Sequence, residues 1–153
     1  MTPRPTSDVL AAVLHDHPGI AAHLAEAYAA AWQVVDPVLL ELCRLRIAAL
    51  LGCQAEAAVR TPAATTAGLE ASTVAELAQW PTSPRFGPRE RACLALCEQF
   101  VMDVACLQDG LAHDVADHLG EDGLADLVTA LLVVEQRQRL RLAWEALAVP
   151  GAA

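Results

Sequence analysis

From Ser7 onward, apolar positions recur every three or four residues, and the runs are separated by proline, glycine and short polar residues. That spacing is the period of helices packed on one face. Ser7 is placed to cap a first helix through "SDVLAAVLHDH", and Pro18 suits the first turn of "PGIAAHLAEAYAAAW". Asp36-Pro37 opens "DPVLLELCRLRIAALL", in which Leu39, Leu42, Ile47, Leu50 and Leu51 supply much of the buried face. Gly52 breaks that helix, a short helix through "QAEAAVR" follows, and "TPAATTAG" reads as a loop or frayed turn. Thr73 and Glu76 have capping-box spacing for "TVAELAQW". "PTSPRFGP" is the clearest connector and divides the chain into two halves, neither large enough to fold alone. Pro88 starts "PRERACLALCEQFVMD". After a turn near Asp109-Gly110 comes "LAHDVADHL", which Gly120 closes as a left-handed cap. The last helix runs from about Asp122 through "LADLVTALLVVEQRQRLRLAWEAL". "LLVVE" is the nearest approach to a strand, and it sits inside a helical period. The pattern predicts an all-α bundle in one domain over residues 7–149, after a disordered lead at 1–6.

Composition agrees with helix: alanine and leucine dominate, and aromatic residues are 4% of the 153. The formal net charge is −9, which argues against a nucleic-acid surface. There is no lysine, so Schiff-base chemistry is excluded. No apolar run is long enough to span a bilayer and no signal peptide is visible, so the expectation is a cytoplasmic protein without a membrane partner. Five cysteines, an odd number, suit reduced thiols.

The Gly52 corner concentrates chemistry. Cys53 follows the helix break at the start of a short helix, where unpaired backbone N–H groups favour the thiolate. Glu56 lies three residues on and so shares a helical face with Cys53, and Arg60, four beyond Glu56, is again on that face. Glu41 lies twelve residues before Cys53. An antiparallel packing would put it far from the thiol, a kinked corner would bring it near, and spacing leaves both open. Glu41 also has a structural use, as an ion-pair partner for Arg44, and Glu56–Arg60 has the spacing of an ordinary surface pair.

At these residues the chain resembles the carboxymuconolactone decarboxylase and alkylhydroperoxidase D superfamily. The resemblance rests on "HPGIAAHLAEAY", "DPVLLELCRLRIAALLGCQAEAAVR", "GLEASTVAEL" and "FGPRERACLALCEQF", and it extends to the terminal "VVEQRQRLRLA". It implies an alkylhydroperoxidase D-like helical bundle assembled as a homo-oligomer, a trimer or hexamer; separately, the residues lead to the expectation of no cofactor and no metal. The family's redox members carry a glutamate, eleven residues, then Cys-x-x-Cys-x-x-x-His. Here Glu41 and Cys53 match, Glu56 replaces the second cysteine, and Arg60 replaces the histidine. Glutamate cannot resolve a sulfenate, and arginine cannot act as a base near neutral pH.

The first functional expectation is therefore a non-redox enzyme, decarboxylase- or lyase-like, or a binder of a small anionic ligand. Glu41 and Glu56 would be its acid/base candidates beside Cys53, and Arg60 its anion anchor. The alternatives are a thiol-dependent, alkylhydroperoxidase-like antioxidant protein using Cys53 and a thiol from another helix, and a catalytically silent oligomeric scaffold. Cys93 and Cys97, with Cys43 and Cys106 as neighbours to consider, read first as core filler and second as a resolving thiol or soft-metal site. Asp109, His113 and Asp117 share one helical face, with Asp114 and His118 on the next; a solvated face is the simpler reading than a metal site. Arg137 and Arg141 share a face that Arg139 does not, either an anion or inter-subunit set or a solvated surface.

Overall fold

A computed structural model describes residues 14–147. The helix expected from Ser7, the lead at 1–6 and the end of the domain near 149 lie wholly or mostly outside them. The described residues form helices and turns only: α1 (Pro18–Val34), α2 (Pro37–Leu51), α3 (Gln54–Ala57), α4 (Pro62–Thr66), α5 (Ala71–Ala75), α6 (Pro88–Asp103) and α7 (Asp109–Leu147), with 3-10 turns at Leu77–Gln79 and Val104–Cys106. "LLVVE" is helical, inside α7.

α2 is the central element and packs against both α6 and α7, while α1 lies on α7. Its start and stop are set by local chemistry. The Asp36 carboxylate accepts from the Leu39 N–H at 2.9 Å, and Pro37 occupies the first turn, where its missing N–H is no loss. At the other end Gly52 takes φ 72°, ψ 23°, and the Cys53 N–H reaches back to the Ala48 carbonyl at 2.8 Å. Between these ends the helix is buried almost all round, through Leu39, Leu40, Leu42, Cys43, Leu45, Ile47 and Ala48, as a core helix must be. Leu50 and Leu51 are only half-buried, because the chain turns away at Gly52.

Three local readings change. "TPAATTAG" contains a helical turn, α4, with Pro62 at its start. The Thr73–Glu76 capping box does not form: α5 begins after Glu70, and Glu76 ends it, taking a bond from the Ser83 hydroxyl at 2.6 Å and from Arg85 at 2.7 Å. Those bonds hold the connector that follows, whose Phe86 is fully buried, so the two halves share one core. Gly120 does interrupt the last helical stretch, but at φ 77°, ψ 169° it takes a positive-φ conformation that favours glycine and is not the left-handed helical cap, and helix resumes immediately beyond it. Glu98 ties three pieces together by accepting from Arg46 on α2 and from the Trp80 indole N–H, both at 2.6 Å.

Removing the Asp36 cap (Asp36→Ala) is expected to lower the unfolding free energy by about 1 kcal/mol. A side chain at Gly52 meets open space but is forced to positive φ, so Gly52→Ala is expected to cost about 1–2 kcal/mol. Urea unfolding of the two single variants and the double tests both values, with near-additivity expected because the positions are the opposite ends of one helix.

Candidate functional site

The centre of the site is the Arg44 side chain, 1% exposed on the most buried helix of the fold. A guanidinium has five N–H donors, and here all are used. Nε and Nη2 grip both oxygens of Glu41 at 2.8 and 2.9 Å, in the bidentate fork arrangement. Nη1 donates to the Glu56 carboxylate and to the Glu56 carbonyl, both at 2.9 Å. Nη2 also reaches the Val59 carbonyl at 2.7 Å. Arg44 thereby binds the chain after Gly52 back onto α2.

Glu41 is equally saturated. Besides Arg44 it accepts from the Thr61 N–H at 3.1 Å and the Thr61 hydroxyl at 3.0 Å. Burial by itself would raise its pKa, but the bonds from Arg44 and Thr61 together outweigh it and hold the carboxyl below its ordinary value. The corner is thus bent, and Glu41 and Glu56 flank one guanidinium instead of standing at opposite ends of α2. Glu41 acts as a structural partner: an acid/base group needs a free oxygen, and both of its oxygens are taken.

Glu56, 5% exposed, keeps one oxygen on Arg44 and turns the other to two arginines of α7. Arg141 Nη1 lies 3.6 Å and Arg137 Nε 3.7 Å from it. Arg137 also lies over the Tyr28 ring, 4.5 Å from its centroid, and Tyr28 in turn packs edge-on against Trp32. Arg60, expected as the anion anchor, is exposed and donates to the carbonyls of Ala57 and Val59 at 2.7 and 2.8 Å. α3 ends at Ala57, so Arg60 is not on a helical face with Glu56, and the pairing expected from i,i+4 spacing does not arise. Arg139 is turned elsewhere and pairs with Glu135 at 2.8 Å. The spacing of Arg137 and Arg141 was the available signal for their shared face; nothing in the sequence marked Tyr28.

Cys53 is buried at the start of α3, with 1% exposure. The expected thiolate does not result. Burial raises its pKa first, the Glu56 backbone opposes that, and the Glu56 carboxylate raises it again against Arg141. A four-residue helix supplies too little dipole to win over desolvation. Cys43, Cys93 and Cys97 lie together in the core between α2 and α6, where Cys97 contacts the Cys43 carbonyl at 3.7 Å. Burial and then Cys43 push Cys93 up to about 12, and the three side chains serve as core packing. Cys106 is exposed beside Asp103. None of these four is among the groups that act on Cys53. Among the described residues no group of three or more His, Cys, Asp or Glu side chains could hold a metal ion, and no helix is long and apolar enough to cross a membrane.

Residues 18–99, more than half of the chain, match the carboxymuconolactone decarboxylase family, and the protein belongs to that family. The matched segment contains Glu41, Arg44, Cys53 and Glu56 but ends before the helix that carries Arg137 and Arg141. No curated protein matches the chain.

Replacing Arg44 by Met strands two buried carboxylates and is expected to lower stability by about 3–5 kcal/mol, measured by urea unfolding at neutral pH. Replacing Glu41 by Leu in the same molecule is expected to recover part of that loss, since the uncompensated charge is then removed. The folded pKa of Glu41 lies below its unfolded value near 4.5, so its contribution is complete above that pH and is lost as pH falls through the folded value. Stability measured against pH should therefore fall less steeply on the acid side in Glu41→Gln than in the parent.

Proposed function

We propose that this chain is a non-redox member of its family that binds a small anionic ligand at the Glu56 corner. The reading is carried by the crowding of three guanidinium groups, Arg44, Arg137 and Arg141, around one carboxylate. Inside the cluster Glu41 and Glu56 are carboxylates that face them. Glu145 balances Arg141 from the solvent side, where it is 44% exposed. Arg137 is the member a ligand reaches, its side chain being 27% exposed. A carboxylate or phosphate oxygen placed there gains a charge-assisted bond, in the role first expected of Arg60. Glu56 is the carboxylate left to move a proton, and Glu41 positions Arg44. A buried Cys53, held protonated by desolvation, supports non-redox use of the site. Five unpaired cysteines fit a reducing, cytoplasmic setting, and the family resemblance supports a homo-oligomer, a trimer or hexamer.

Two measurements test this. Calorimetric titration with acetate, succinate, benzoate and phosphate should give saturable, salt-sensitive binding of at least one anion. Arg137→Gln should weaken it about tenfold, or ~1.4 kcal/mol, while Arg60→Gln leaves it unchanged. If no anion binds, or Arg137→Gln has no effect, the ligand reading fails and a silent oligomeric scaffold replaces it. Brief exposure to an organic hydroperoxide followed by peptide mapping should leave Cys53 unmodified. Rapid appearance of a Cys53 sulfenate or disulfide, absent in Cys53→Ser, would return the chain to thiol-dependent peroxide chemistry.

A further inference from the structure

We infer that the groove between α6 and the first segment of α7 is a second binding site, for a small amino acid carrying an additional amino group. The groove is independent of the Glu56 corner. It is an open groove of about 410 Å³, and Trp80, Arg91, Ala92, Asp114, Asp117 and His118 are among the residues that line it.

Its opposite charges face one space without neutralising each other. Arg91 on α6 is fixed by a bond from Nη2 to the Ser83 carbonyl at 2.9 Å. Its Nε is buried and has no acceptor, an arrangement that costs stability unless something fills it. Asp114 and Asp117 stand three residues apart on α7, exposed on the groove side, and neither forms an ion pair with Arg91. A ligand carboxylate pairs with the Arg91 guanidinium, and a ligand ammonium complements an aspartate. Two aspartates against one guanidinium leave one negative charge that a simple zwitterion does not match; a second ammonium does. The Trp80 N–H is already committed to Glu98 at 2.6 Å, so the indole offers apolar surface. With Ala92 it covers a methylene stem. These features describe a lysine- or ornithine-type amino acid. Because both aspartates are exposed, each pairing is screened and the affinity is modest.

Lysine, norleucine and cadaverine form a matched set, since norleucine lacks the second amine and cadaverine lacks the carboxylate. Calorimetry, with tryptophan fluorescence as a second readout, should rank lysine tightest and each of the others about tenfold weaker. Arg91→Gln should erase the preference for lysine over cadaverine. The double variant Asp114→Asn with Asp117→Asn, at exposed positions that leave the fold intact, should erase the preference over norleucine. Arg137→Gln should leave lysine binding unchanged, which separates this groove from the Glu56 corner. Absence of lysine binding at millimolar concentration, equal binding of the three compounds, or unchanged lysine affinity in the double aspartate variant would overturn the assignment.

Discussion

The buried guanidinium of Arg44 constrains everything around it. Removing a cation of this size from water is expensive, and the cost is offset only when every donor finds an oxygen in good geometry. Arg44 meets that condition with five bonds to Glu41, Glu56 and Val59. The condition dictates the path of the chain, because two acceptors are backbone carbonyls beyond the Gly52 corner. The segment from Cys53 to Thr61 has no long helix of its own to hold it. It lies against α2 because Arg44 and Glu41 supply the bonds its own short turns lack.

The same saturation decides which chemistry the corner retains. A carboxylate with both oxygens occupied by a guanidinium and a threonine has no lone pair to offer a substrate, however near the substrate comes. Glu41 is in that position, and Glu56 is half in it. The positive groups that face Glu56 come from α7, more than eighty residues further on in sequence. A thiol beside them gains little, because desolvation acts on it more strongly than the short helix or the nearby arginine.

The second half of the chain contributes through packing. α6 brings Cys93 and Cys97 onto Cys43 as small fillers of the core, and Glu98 of the same helix collects Arg46 and Trp80 at its edge. α7 closes the bundle over α1, α2 and α6, and the non-helical backbone at Gly120 divides it into a segment that lines the groove and a segment that faces the Glu56 corner. One glycine with positive φ thus separates two surfaces of different charge character on what is otherwise a single run of helix.

Local chemistry written in the sequence determined the helical class, the bounds of α2 and its caps, the break at Gly52 and the helical state of "LLVVE". A capping aspartate, an initiating proline and a left-handed glycine act within one turn of where they stand. The Glu41–Arg44 pair was legible for the same reason, being three residues apart on one helix. Local signals misled where a tertiary partner competed for the same group: Glu76 could cap Thr73's helix by spacing but is bound by Ser83 and Arg85. Arg60 could face Glu56 only if α3 continued, and it stops at Ala57. Only the tertiary structure decided that Arg137, Arg141 and Tyr28 join Glu56, and that Cys53 is buried and protonated. Those facts depend on desolvation and on contacts across eighty or more residues, and neither is encoded in the spacing of a single helix.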